Sequence, residues 1–330
     1  MTPSLARILL APVAALVLAA TATGAAASAS PGPRADPSAE VARYSAAESP
    51  AESLAYWTQE RMAAARPITR ILEGAAGGLL PRTPADAPPE ADAPRGGETR
   101  PQSAAVTGKR WTGGGKVTRT TGRVFLTMGG RDFTCTASVV PSNNGDTVVT
   151  AGHCLKDGTG DWASKWVFVP GYDDGKAPYG RFAARELLVT SQWSRRADDS
   201  HDFGAAVLEP REGRHVRQAA GAQRIAFTGE GAGTVHAFGY PSRSPYDGRH
   251  MHYCSGSTRP DEGGTTAYGM SCDMTEGSSG GPWLSGFDPS TGAGTVVSVV
   301  SFKYAGRDGV QYGPVLGSSE RAVYDRARAL

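Results

Sequence analysis

No charge of one sign dominates this sequence. Its 34 Lys and Arg stand against 32 Asp and Glu, a formal net charge of +2. That balance argues for neither nucleic acid nor an anionic membrane as the main partner. A long apolar run is also missing. The stretch Ile8 to Ala20 is too short to span a bilayer, and no later run approaches spanning length. The cysteines form no C-x-x-C pair and the histidines no H-x-x-x-H pair, so a zinc site has no support. No clustered set of Asp and Glu ligands is evident, and neither a metal nor an organic cofactor is expected. Repeats of fixed period are absent, and helical periodicity is nearly so.

What is present begins with residues 1–29, which have the pattern of a secretory signal. Arg7 gives a positive start, Ile8 to Ala20 an apolar centre, and Ala27-Ser28-Ala29 an A-x-A cleavage site. Other small residues between Ala20 and Ala27 offer further cleavage points. A secreted, extracellular chain is expected. Cys135, Cys154, Cys254 and Cys272 suit that compartment, and four cysteines allow three pairings. Sequential pairing, Cys135–Cys154 and Cys254–Cys272, is preferred. Each bridge would close a loop of roughly 20 residues, a stabilisation of about 3 kcal/mol in the chain-entropy model.

Residues 30–114 are rich in Ala, Pro, Arg and Glu, with Pro81, Pro84, Pro88, Pro89, Pro94 and Pro101 in the second half. Such a stretch buries too little apolar surface to offset chain entropy. A largely disordered pro-segment or linker is expected, with one exception. From Ser49 to Leu72, the residues Ser53, Leu54, Tyr56, Trp57, Met62 and Ile71 fit a short helix. That stretch either covers or chaperones the domain after it, or is a simple spacer.

From residue 115 to 330 the texture changes. Val124-Phe125-Leu126, Phe133 to Val140, Thr147 to Thr150, Trp166 to Val169, Glu186 to Thr190 and Phe203 to Leu208 are apolar or β-branched. Thr234 to Phe238, Thr295 to Phe302 and Val310 to Tyr312 continue the series. Turn signals such as Gly129-Gly130 and Asn143-Asn144-Gly145-Asp146 separate them. Many short strands of this kind predict an all-β sandwich or barrel. Only Ser318 to Leu330 reads as a helix, capped by Ser318 or Ser319.

The chemistry gathers around Gly277-Ser278-Ser279-Gly280-Gly281-Pro282. A nucleophilic serine needs its hydroxyl clear of the backbone and nearby N–H groups aimed at a developing oxyanion. It also needs a base with a pKa near ambient, and a carboxylate to hold that base. His153 follows Val148-Val149-Thr150 and precedes Cys154. His201, His215, His236, His250 and His252 lack such a setting, and His250 and His252 read as a half-exposed strand. Asp202 precedes the apolar Phe203-Gly204-Ala205-Ala206-Val207-Leu208, whereas Asp198 and Asp199 lie in a polar loop and read as solvated.

Thr150-Ala151-Gly152-His153-Cys154, then Asp202 before an apolar strand, then Gly277-x-Ser279-Gly280-Gly281-Pro282 together resemble the chymotrypsin-like (trypsin-like) serine peptidases. The order His153, Asp202, Ser279 is the order of that family. Phe133 to Val140 resembles its Cys-bearing strand. Phe238-Gly239-Tyr240-Pro241 and Cys272-Asp273-Met274-Thr275 resemble the bacterial glutamyl-endopeptidase branch. The resemblance covers residues 115–330. It implies two six-stranded antiparallel β-barrels with the site between them, and a Cys135–Cys154 bridge. It implies Ser279 as nucleophile, His153 as base and Asp202 as its orienter, with the Gly277 and Ser279 amides as the oxyanion hole. Ser301, Phe302 and Lys303 match the segment that pairs with the substrate backbone. Asp273 stands where trypsin-like members place the aspartate at the pocket base, which would favour Arg or Lys side chains.

Two positions depart from the family pattern. Ser278 replaces the aspartate that receives a freed N-terminus, so activation through that ion pair is not expected. Val300 replaces the histidine of glutamate-specific relatives, which speaks against glutamate preference. The expected function is a secreted serine endopeptidase acting on proteins or peptides as a monomer, without nucleic acid or membrane. The alternatives are a catalytically silent homologue acting as a binding module, and an esterase. The esterase fold needs Ser before Asp before His, with alternating helices and strands, and neither is present.

Overall fold

Buried apolar and β-branched runs form the strands, and turns rich in glycine separate many of them. The computed structural model describes residues 41–68, 70–72, 106–228 and 233–330. The signal expected over residues 1–29 lies outside them. The first barrel comprises β1 (Thr121–Met128), β2 (Arg131–Val139), β3 (Thr147–Thr150), β4 (Ser164–Pro170), β5 (Phe182–Thr190) and β6 (Gly204–Leu208). Pairing runs β5-β6-β3-β2-β1-β4, and antiparallel pairing of β4 with β5 closes the ring. Two residue pairs make the closure, Val167 with Ala183 and Phe168 with Phe182, and β4 leaves the Glu186–Thr190 edge of β5 free for another strand.

The second half comprises β7 (Thr234–Gly239), β8 (His252–Ser257), β9 (Tyr268–Ser271), β10 (Pro282–Asp288), β11 (Ala293–Val299) and β12 (Val310–Gly313). Its hydrogen bonds form two ladders. β11, β10, β7 and β8 make one, and β9 with β12 the other. The two disulfides are Cys135–Cys154 and Cys254–Cys272, the pairing expected from the sequence. The first ties β2 to the turn after β3, and the second ties β8 to the chain just past β9.

The helix expected at the C-terminus is present as Ser318–Ala327. Its cap is not a serine. The Glu320 side chain reaches back to the Gly317 N–H at 2.8 Å. Short helices Gly115–Thr120, Ser191–Arg196 and Val216–Ala220 carry too few turns for a periodic signal and were not expected.

Residues 41–72 carry more structure than composition suggested. Val41–Ser45 adds to the β5 side of the barrel as an antiparallel strand, Val41 opposite Thr190 and Ser45 opposite Glu186. Arg43 donates to both oxygens of Glu186, at 2.9 and 2.7 Å. Helices Pro50–Tyr56 and Gln59–Ala64 follow, the first started by a Ser49–Glu52 capping box. Trp57 is fully buried, its indole N–H donating to the Lys165 carbonyl at 2.6 Å. Its ring lies 5.5 Å from Phe125. This cover explains why every residue of β1 is buried instead of every second one. Val124 and Leu126 face one way; Arg123 and Phe125 face the other, where Trp57 and Tyr172 meet Phe125.

Candidate active site

The strand β3 is a β-branched run, Thr147-Val148-Val149-Thr150, buried throughout. It ends in a 3-10 turn, Gly152–Cys154, and the Cys135–Cys154 bridge pins that turn to β2. Gly152 is required there. A Cβ would come within 2.9 Å of Asp202 Oδ1 and of the Trp193 ring. The turn holds His153 at 5% exposure.

Asp202 is fully buried at the entrance to β6. Its Oδ1 accepts the His153 backbone N–H at 2.7 Å, and its Oδ2 meets His153 Nδ1 at 2.7 Å. Ser301 donates its hydroxyl to the same Oδ2 at 2.5 Å. Burial by itself would raise the Asp202 pKa. The His153 charge, the His153 hydrogen bond, Arg70 and the Ser301 hydroxyl outweigh it and hold the carboxyl below its usual value. An ionised, hydrogen-bonded carboxylate of this kind fixes the imidazole tautomer, with Nδ1 protonated and Nε2 open.

Ser279 sits in a turn locked onto the first barrel. Its carbonyl accepts the Thr136 N–H from β2 at 2.7 Å. Thr136 Oγ donates to the Gly277 carbonyl at 2.9 Å and accepts from the Tyr240 N–H at 3.1 Å. Gly277 and Gly280 have φ of 95° and 80°, the left-handed region that favours glycine. A Cβ on Gly280 would also meet Thr150 Oγ1 at 2.0 Å. The two halves therefore meet at this turn, with Ser279 against β2, the strand that the Cys135–Cys154 bridge ties to the His153 turn. The Ser279 hydroxyl and His153 Nε2 are not hydrogen-bonded, and Nε2 is buried without a partner. The Gly277 and Ser279 N–H groups donate to no protein acceptor among the described residues, as an oxyanion hole requires.

Ser278 shows what stands in for the missing acid. Its N–H and hydroxyl both donate to the Thr275 carbonyl, at 3.3 and 2.7 Å. The turn before Ser279 is thus shaped by a local serine turn, with no ion pair at Ser278 among the described residues.

Beside Ser279 lies a cavity of about 620 Å³, walled by Asp273, Val300, Ser301, Phe302, Lys303 and Arg70 among others. Asp273 is in the wall, but its Oδ1 already accepts the Tyr246 hydroxyl at 2.5 Å and the Gly108 N–H at 2.8 Å. Lys303 points its Nζ to the carbonyls of Cys272, at 3.3 Å, and Asp308. Burial lowers the Lys303 pKa. A cation and an engaged carboxylate thus share the cavity. Cys135, His153 and Cys154 cluster closely, yet both sulfurs are spent in the disulfide and offer no thiolate to a metal.

Sequence reasoning missed three participants. Asp199 was expected to be solvated, but its side chain is 12% exposed and ion-paired to Arg70 at 2.7 Å. Its partner lies 129 positions away, so no local signal marks it. Trp193 was not singled out; its ring lies 6.4 Å from the His153 ring. Ser301 was expected to serve through its backbone, whereas its hydroxyl also holds Asp202.

Comparison with known proteins places this geometry. The protease Anisep from Arthrobacter nicotinovorans is 34% identical in its crystal structure, with a TM-score of 0.62, covering 64% of this chain and 96% of that one. A thermostable serine protease from an extremophilic microorganism is 39% identical, with a TM-score of 0.61, covering 64% of this chain and 98% of that one. An extracellular metalloprotease of Bacillus subtilis (strain 168) is 33% identical over 84 residues; the match spans 26% of this chain and 26% of that protein. The trypsin family model matches residues 112–316, more than half of the chain. The fold is the chymotrypsin-like two-barrel fold, and the chain belongs to the trypsin family of serine-type endopeptidases.

Proposed function

We propose that this protein is a secreted serine endopeptidase that cleaves peptide bonds through Ser279, His153 and Asp202 by an acyl-enzyme. The observation that carries the reading is the buried His153–Asp202 pair at 2.7 Å, on the turn next to the strand that also fixes the Ser279 carbonyl. His153 Nε2 takes the Ser279 proton as Oγ adds to the scissile carbonyl carbon. The resulting oxyanion receives the Gly277 and Ser279 N–H groups. Collapse of that intermediate breaks the C–N bond, and the imidazolium gives its proton to the leaving amine. Water then loses a proton to His153 as its oxygen adds to the acyl carbon; the second intermediate breaks the bond to Ser279 Oγ, which takes the proton back from His153 as the acid leaves. Each step needs His153 to be neutral before attack and charged after it. The ionised Asp202 lowers the energy of the charged form.

Treatment of the secreted, processed protein with a serine-reactive phosphonate tests this. Covalent modification of Ser279, and its loss in His153→Ala, is the expected result. An unmodified Ser279 in protein that is folded and processed would favour a binding module instead. Ser279→Ala is expected to lower kcat by about 10⁶-fold, the scale seen when the serine of such a triad is removed. The processing site is expected before Val106, because Lys109–Arg110 pairs with β8 and Trp111 packs on Phe238. Side-chain preference is left to the cavity described above, where the engaged Asp273 argues for a role in holding Tyr246 and Gly108.

A further inference from the structure

Among the described residues of the N-terminal segment, Arg70 alone enters the wall of the cavity beside Ser279. Two of its donors converge on Asp199 Oδ1, Nε at 2.8 Å and Nη2 at 2.7 Å. Nη2 also donates to the Ala197 carbonyl at 3.3 Å. The guanidinium lies 4.7 Å over the Trp193 ring, and that same ring neighbours His153. A planar cation stacked on an indole and held by a carboxylate is the arrangement that suits arginine and not lysine. The backbone of the segment is bound as well. Lys303 N–H donates to the Arg70 carbonyl at 3.2 Å, and Ala305 N–H to the Leu72 carbonyl at 2.9 Å. Ile71–Leu72 thereby pairs with Lys303–Tyr304 in a parallel sense.

We propose that Asp199, Trp193 and the Ala197 carbonyl form an arginine-binding subsite of the substrate cleft, filled by an arginine of peptide substrates and, in the uncleaved chain, by Arg70 as a built-in competitor. The proposal rests on the serine-endopeptidase reading above. Its first support is position: the Trp193 ring lies 6.4 Å from the His153 ring, and Arg70 lines the cavity together with Ser301, Phe302 and Lys303. Its second is what remains when the segment leaves. Asp199, Trp193 and Ala197 all lie within residues 112–316 and stay behind. Burial already pushes the Asp199 carboxyl up to about 6, with Arg70 pulling against it. Without Arg70 the Asp199 carboxyl loses the cation that pairs with it, and a cationic side chain of a substrate restores that pair. A third support is that no described hydrogen bond joins residues 68 or 70–72 to Ser279 or to the Gly277 amide. The segment fills the subsite without offering a carbonyl to the nucleophile, so it obstructs and is not cut.

The test uses the secreted, processed protein and the acetylated hexapeptide Pro67-Ile68-Thr69-Arg70-Ile71-Leu72. Competitive inhibition is expected, about tenfold or more weaker for the Arg70→Ala peptide, the scale of hydrogen bonds to a charged partner. In the Asp199→Asn enzyme the two peptides should differ by less than about twofold. Quenched peptides with arginine scanned through the positions before the scissile bond should show one position where arginine is preferred over alanine by about tenfold in kcat/KM, a preference that Asp199→Asn removes. The full-length Arg70→Ala chain should react with a phosphonate at Ser279 about tenfold faster than the full-length wild type; the peptide measurements stand whether or not that variant folds. If Ser279 is modified normally but both peptides inhibit equally and no position prefers arginine, the subsite is refuted and the peptidase stands. If Ser279 is not modified and no substrate is cut, the peptidase reading itself falls, and the subsite with it.

Discussion

At the scale of single residues, Asp202 carries three hydrogen bonds and the consequences of losing each differ. Asp202→Asn keeps the shape but reverses which His153 nitrogen bears the proton, and kcat is expected to fall by about 10⁴-fold. Ser301→Ala removes one donor from a carboxylate that keeps two others, at 2.7 Å each, both from His153. A smaller loss of about tenfold in kcat is expected, with a shift in the pH profile of kcat/KM that a purely structural role would not produce. A second histidine sets a pH dependence of stability. His201 Nδ1 meets the buried Glu320 at 2.8 Å, and that hydrogen bond raises the His201 pKa. A base raised above its unfolded value stabilises fully below that unfolded value and loses the contribution as pH rises through the folded one. Thermal midpoints should therefore decline as pH climbs from about 6.5 into the alkaline range. The decline should be flatter in His201→Gln, measured by calorimetry on the same buffers. His153, Asp202 and Ser279 were legible because their neighbours in sequence form the motifs. Asp199 was not, because its burial depends on an arginine brought in by folding.

At the scale of elements, strands announced themselves where one face is buried and the residues are β-branched. Thr147–Thr150 was bounded correctly, and Val310–Gly313 nearly so. Tyr268–Ser271 and Pro282–Asp288 were not expected, and of His252–Ser257 only the half-exposed start at His252 was. They contain Gly256, Gly269 and Gly286, and small residues stand where a packing signal is expected. Gly269 leaves room for the Tyr312 ring, which a Cβ would meet at 2.7 Å. The helices Pro50–Tyr56 and Gln59–Ala64 were partly visible as one short helix, through Ser53, Leu54, Tyr56, Trp57 and Met62. Their purpose was not, because the surface they cover is the outward side of β1. Trp57→Ala is expected to weaken their hold on the barrel by about 3 kcal/mol, the low end for a buried tryptophan. Hydrogen exchange should show residues 41–72 opening about 100-fold more often, with the β2–β3 amides unchanged. Replacing Cys254 and Cys272 together by alanine should cost about 3 kcal/mol in denaturant unfolding of the processed protein.

At the scale of the whole molecule, both ends of the 73–105 stretch are anchored. Leu72 pairs beside Lys303, and Val106 accepts the Asp273 N–H at 3.1 Å. A cut between them leaves each side attached by its own contacts. We expect the N-terminal fragment to remain bound just after the cut and to leave as the processed protein is diluted and purified, followed by native mass spectrometry over time. A fragment that survives dilution would show that Val41–Ser45 and Trp57 hold it without the covalent link. The serine turn at Ser278 bears on the same event. On the proposed reading of Ser279, a turn that draws its form from Thr275 and not from an incoming ammonium makes no demand on where the chain is cut. Ragged ends, or foreign residues left by a recombinant tag, should give enzyme of equal turnover, and host proteases of different taste can each set it free.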